Sequence, residues 1–168
     1  MPHLQASAAA VPGSVQHLSF RVREARYALP IELVREIIEY GHVTTVPMMP
    51  SFIHGVINLR GNVVPVLDLA ARFGMPLSVA NKRTCIVIIE LTLDEQEQRI
   101  GLVVDAVDAV LDIDLASVEP APPFGAGINT DFIAGMARDE RGFTIVLDVR
   151  RVLSLDDIRQ LSLARQAS

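Results

Sequence analysis

A single cysteine, Cys85, stands among 168 residues, so no internal disulfide is possible and the chain suits a reducing cytoplasm. Cys85 sits in the apolar run TCIVIIEL, where a buried, inert thiol is the expected state and a nucleophile is not. An excess of positive charge is also missing. Fifteen Lys and Arg against twenty Asp and Glu leave a net charge of -5, which excludes a general nucleic-acid binder that must neutralise phosphates. No apolar run reaches the roughly 18 residues that a membrane-crossing helix needs, so no direct membrane insertion is expected. The first sixteen residues lack both a basic opening and a compact apolar stretch, so they do not read as a secretory signal; residues 1–16 are expected to be a disordered tail.

Signatures of catalysis are equally scarce. His3, His17, His42 and His54 fall in no metal-ligand spacing. There is no phosphate-cradling glycine loop and no G-x-S-x-G elbow. The alternating strand and helix order of a phosphoacceptor domain is missing too. No catalytic residue, cofactor or metal is expected. What the chain does have is apolar residues: half of it is hydrophobic and mean hydropathy is +0.34. Such a surplus either fills a well-packed core or lies on surfaces that meet partners.

The apolar residues are arranged as short strands. Leu18, Phe20 and Val22 alternate with polar residues, a charged turn follows at 23–26, and Tyr27, Leu29 and Ile31 resume the alternation, as in a hairpin. Pro30 suits a strand edge or the start of one helical turn through Glu32, Leu33 and Val34. REIIEY and VTTVP read as further extended segments. RTCIVIIEL and QRIGLVVDAV read as strands joined by the acidic loop TLDEQEQ, and GFTIVLDV as a late strand. Ser154 is placed to cap a helix bearing Leu155, Ile158 and Leu161 at helical spacing.

The chain also repeats itself. SFIHGVINLRGNVVPVLDL, ending at Leu69, matches DFIAGMARDERGFTIVLDV, ending at Val149, which aligns Phe52 with Phe132, Gly55 with Gly135, Gly61 with Gly142 and Asp68 with Asp148. Upstream, ALPIELVREII matches GLVVDAVDAVL, aligning Val34 with Val107. Two small β-units therefore follow one another, with a boundary near Asn81, and units this short must pack together and hide their edges. Asp68 and Asp148 resemble a carboxylate pair, but equivalent places in two repeats favour structural roles at strand ends.

Within HGVINLRGNVVPVLDL, a two-residue turn at Gly61-Asn62 would set Arg60 opposite Val63 and Ile57 opposite Val66. Ile57, Leu59, Val64 and Val66 then form a wholly apolar face, the natural core side. The opposite face carries Asn58 and Arg60, with Arg60 either turned to a partner or snorkelling over Val63 to a loop carboxylate.

The run from Phe20 to Leu153 resembles the CheW family of bacterial chemotaxis coupling proteins. The resemblance is carried by YALPIELVREII, the VP and P-x-F-I-x-G approach, GVINLRGNVVPVLDL, GLVVDAVDAVL, VEPAPPF, and FIAGM followed by IVLDV; NLRG with PV-x-DL is the most specific. It implies an all-β fold of two tandem small five-stranded SH3-like β-barrels packed on each other, with short helical turns and a C-terminal helix. The expected limits are a first barrel at 17–81, a second at 82–153 and a terminal helix or tail at 154–168, in one such domain over 17–155. The implied role is a non-catalytic adaptor linking methyl-accepting chemoreceptor tips to the regulatory domain of a CheA-type histidine kinase. Such an adaptor would be cytoplasmic and recruited to membrane-associated receptor arrays. Alternatives are a coupling protein of a pilus-motility or other chemosensory-like pathway, and a small-molecule-binding barrel.

Carried over position by position, the resemblance makes Asn58, Arg60 and Gly61 a coupling hairpin. It sets Val34 and Glu36 beside a receptor-binding groove that Val107 should also line, and makes Phe124 the aromatic of a second kinase contact. For Val34 and Val107, burial in the core is an equal alternative.

Overall fold

The computed structural model describes residues 13–77, 79–93, 95–120 and 132–153. Ten strands and a few single helical turns account for most of them: β1 (Ser14–Val22), β2 (Ala25–Pro30), β3 (Val34–Glu39), β4 (Ile53–Leu59), β5 (Asn62–Asp68), α1 (Leu69–Arg72), β6 (Cys85–Leu93), β7 (Gln96–Val104), β8 (Ala106–Asp114), β9 (Ile133–Asp139), β10 (Gly142–Leu147) and α2 (Val149–Val152). The expected β1–β2 hairpin forms, paired from His17 with Pro30 to Val22 with Ala25. Pro30 ends β2 and opens a 3-10 turn over Ile31–Leu33, where its missing N–H costs nothing. β1 begins at Ser14, inside the segment expected as a tail. The VTTVP segment is not a strand; it contributes only a bridge between Thr44 and Val56. Ser154 and the helix expected after it lie outside the described residues, as do residues 1–12 of the tail.

The strands form two five-stranded sheets, ordered β8-β1-β2-β10-β9 and β3-β6-β7-β5-β4. Their registers confirm the duplication. Val34 pairs with Ile89 and Val107 with Phe20, and each pairing is followed by a bulge at which Arg35 or Asp108 is the extra residue. A short parallel pairing joins β5 to β7 and, equivalently, β10 to β2. Isolated bridges link Thr44 to Val56 and Glu119 to Met136.

The sheets do not divide at Asn81. Each takes its first two strands from one repeat and the other three from its partner repeat, so the repeats exchange hairpins. Connector length explains this. Were β3 to lie antiparallel beside β1 in the first sheet, it would run parallel to β2 with β1 between them, and consecutive strands that run parallel in one sheet need a crossover of about a dozen residues. Only Ile31–Leu33 separate β2 from β3, and only Asp105 separates β7 from β8. The chain must therefore run straight on into the other sheet. Asp105 is pinned as it crosses, its N–H donating to the Arg21 carbonyl at 2.8 Å while its carboxylate accepts from the Arg23 N–H at 2.6 Å.

Strand alternation then divides the core. Leu18, Phe20 and Leu29 of the first sheet meet Val87, Ile89 and Leu102 of the second in the largest cluster, which lies between the sheets. The opposite face of the second sheet gathers Ile57, Val64, Val66, Ile86, Ile88 and Val103. The corresponding cluster of the first sheet is smaller, with Ala28, Ile113 and Val146; His17, Ser19, Arg26 and Thr144 are also buried in this part of the fold.

Candidate functional site

The β4–β5 hairpin closes one residue earlier than its glycine suggests. Leu59 pairs with Asn62, so Arg60 and Gly61 are the turn residues, both at positive φ (52° and 85°). That is the twist-matched type I′ geometry. Asn58 secures it by accepting the Gly61 N–H on Oδ1 at 2.9 Å. The expected Arg60–Val63 and Ile57–Val66 pairings are thus replaced by Asn58–Val63 and Ile57–Val64. This moves the register by two residues, which preserves parity. Ile57, Val64 and Val66 accordingly remain on the buried face, with Leu59 packed beside them.

Arg60 is mostly exposed yet engaged: its Nη2 donates to Glu36 Oε2 at 2.6 Å. The hydrogen bond and the charge of Glu36 push the guanidinium pKa up. The structure therefore joins two of the candidate residues, Glu36 on β3 and Arg60 on the hairpin tip, into one charged corner. Hairpin parity had left Arg60 with a partner or a loop carboxylate; the carboxylate it meets, Glu36, lies on strand β3 instead of in a loop.

Val34 and Val107 occupy equivalent places on β3 and β8. Each is half-buried against the core between the sheets, as are their neighbours Ile37 and Val110. A groove of about 500 Å³ is lined by two of them, Ile37 and Val107, with Ile38, Cys85 and Ala106 completing its apolar part, whereas Val34 and Val110 do not line it. Its charged rim comprises Lys82, Arg83 and Glu39, together with the Arg21–Asp108 ion pair at 3.4 Å. Cys85 is half-buried in this groove rather than sealed in the core. Burial, then the charge of Glu39, pushes its thiol pKa up.

Asp68 and Asp148 have the structural role that their repetition suggested. Asp68 is fully buried and caps α1, accepting the Ala70 and Ala71 N–H groups at 3.0 and 3.4 Å. Asp148 caps α2 through the Arg151 N–H at 3.3 Å. Both backbones donate to the equivalent phenylalanine carbonyl, Phe52 or Phe132. Between those two rings lies the guanidinium of Arg72, 4.7 Å from each centroid, with Nε donating to the Val152 carbonyl at 2.8 Å. Sequence reasoning missed this joint, because the repeat equivalent of Arg72 is Val152 and nothing marks the arginine as special. It also missed Lys82 and Arg83, which sit at the boundary between the repeats and the start of the RTCIVIIEL segment. Phe124 lies outside the described residues. Among the described residues, no group of three or more His, Cys, Asp or Glu is placed to hold a metal ion.

The CheW-like domain family model matches residues 16–157. Among curated proteins, the chain is 29% identical over 143 residues to the chemotaxis protein CheW of Klebsiella aerogenes, covering 85% of this chain and 84% of that protein. It is 32% identical to CheW of Bacillus subtilis, covering 80% and 83%. Among solved structures, the scaffolding protein TtCheW from Thermoanaerobacter tengcongensis superposes with a TM-score of 0.75 at 33% identity, covering 91% of this chain and 96% of that one.

Proposed function

The chain belongs to the family of CheW-like domains, and from that premise we propose that it couples the cytoplasmic tips of methyl-accepting chemoreceptors to the regulatory domain of a CheA-type histidine kinase. It is a chemotaxis scaffold and acts without catalysis. The observation that supports the coupling reading is the presence of two separate surface features on one chain. One is the groove between the sheets, floored by apolar residues of β3 and β8; the other is the exposed corner of Glu36 and Arg60.

The groove suits the apolar stripe of a receptor helix, with Ile37, Ile38 and Val107 along it and the half-buried Val34 and Val110 further along the same two strands. The corner formed by Asn58, Arg60, Gly61 and Glu36 suits a kinase surface, since an arginine at an interface centre is a common anchor. Phe124 belongs to this proposal as a second kinase contact that closes alternating rings of kinase and coupling protein. Recruitment to membrane-associated arrays follows from receptor binding, since no described helix is long and apolar enough to cross a membrane.

A scaffold changes kinase output only if its contacts differ between the active and inactive states of the array. The test is co-sedimentation of the kinase regulatory domain with membranes bearing the receptor, with and without this chain. Coupling predicts kinase recruitment only when the chain is present. Kinase recruitment that ignores the chain contradicts it.

A further inference from the structure

The groove between the sheets is nearly its own mirror in sequence, because the two repeats that flank it exchange places across it. The registers give the correspondence. Val34 with Ile89 matches Val107 with Phe20, and Glu39 with Cys85 matches Asp112 with Gln16. Ile37 thus corresponds to Val110, and both are half-buried on the same core cluster. An apolar stripe of this symmetry would accept a helix equally well in either direction.

The charges break that equivalence. At the described end of the groove, three cations (Arg21, Lys82 and Arg83) stand against two carboxylates (Glu39 and Asp108). Arg21 is spent on Asp108, whereas Lys82 and Arg83 are exposed. At the corresponding positions of the other end, Gly13 and Ser14 replace the two cations, and one cation (Arg35) stands against two carboxylates (Glu90 and Asp112). Glu90 is paired with both Arg35 and Arg99, as Asp108 is with Arg21 and Arg26, which leaves Asp112 at this end and Lys82 and Arg83 outside those pairs at the other. The Lys82–Arg83 end is therefore the more positive of the two, in a chain that is acidic overall.

We propose that Lys82 and Arg83 fix the direction in which a receptor helix lies in the groove, by drawing the more acidic end of its apolar stripe towards themselves and leaving the less acidic end to Asp112. Reversal would set acidic residues against Asp112 and leave the two cations unpaired, so one orientation is selected by attraction at one end and repulsion at the other. This inference rests on the receptor-coupling reading above and adds the orientation.

Cys85 provides the reporter, because it is the chain's only cysteine and lies in the groove at the cationic end. The probe is a cytoplasmic-tip fragment of a cognate receptor carrying one cysteine at either end of the docking stripe. Its binding is measured first by titration. Under mild oxidation, the cysteine at the acidic end should be trapped on Cys85 at least tenfold more than the other, and Cys85→Ser should abolish trapping. Lys82→Glu with Arg83→Glu should remove or reverse the preference. Equal trapping of both ends by a fragment that binds, or a preference unchanged in the double variant, overturns the directional role alone. A fragment that does not bind the unaltered chain overturns the receptor reading and the direction with it.

Discussion

At Arg60 the side chain is two-thirds exposed while its partner Glu36 is about one-quarter exposed. An ion pair so open to solvent holds little folding free energy, because water and salt screen it and two long side chains must be ordered to make it. Arg60→Ala is therefore expected to leave the thermal midpoint and circular dichroism unchanged while weakening kinase binding; an unfolded variant would make Arg60 a structural residue instead. Cys85 has surroundings opposite to those of a reactive thiol. Its raised pKa keeps it protonated at neutral pH, so alkylation should be slow at pH 7 and should accelerate only above the ordinary thiol range. Rapid neutral labelling would contradict the burial and the Glu39 field given as its cause. Sequence reasoning named Arg60 and Glu36 separately. Their contact was hidden because it joins a turn to a strand from a different hairpin, and no periodicity reports such a pair.

At the scale of elements, the glycines aligned by the repeat mark close backbone crossings. A Cβ on Gly55 would stand 2.1 Å from the Thr44 carbonyl oxygen, and one on Gly135 would stand 2.3 Å from Val118 Cγ1 and 2.9 Å from the Glu119 carbonyl oxygen. These are the carbonyls that accept from Val56 and Met136 in the two isolated bridges. Gly55→Ala and Gly135→Ala should each cost at least ~1–3 kcal/mol, the range for overpacking a tight site, read as a lower urea midpoint. A midpoint equal to that of the unaltered chain would mean that the crossings are looser than this geometry. The strands themselves were legible because alternation of Leu18, Phe20 and Val22, or of Ile86 and Ile88 against Val87 and Ile89, reports a two-sided pleat. The β4–β5 turn was misplaced by one residue because an arginine at positive φ is unusual. Asn58 and the twist of the strands stabilise it there, and Gly61 was consequently assigned to the first turn position rather than the second.

For the whole molecule, the exchange of hairpins is the dominant fact. The repeats disclose which strands resemble one another, yet resemblance does not say which copies pair. The signal lay in the connectors: three residues and one residue are too short for a crossover, and that argument was open to sequence once the strands were placed. The consequence is that neither sheet is the property of one repeat. Unfolding in urea should be a single cooperative transition by both fluorescence and circular dichroism. Leu102, almost fully buried between the sheets, should on replacement by Ala shift that one transition by ~2–5 kcal/mol without splitting it. Two resolved transitions would mean that the sheets are independent after all. The same coupling suits a scaffold, since a partner seated in the groove touches strands of both repeats at once.

The central claim is that this chain joins a receptor to a kinase through distinct surfaces, with the Arg60 corner on the kinase side. Its most direct test is a titration of the purified chain with the regulatory domain of the cognate CheA-type kinase, beside the Arg60→Glu variant. Saturable binding that the variant weakens at least tenfold, with both proteins folded by circular dichroism, is the predicted result. Binding that Arg60→Glu leaves untouched would remove the corner from the kinase interface. No binding to any such kinase of the same cell would contradict the coupling role itself.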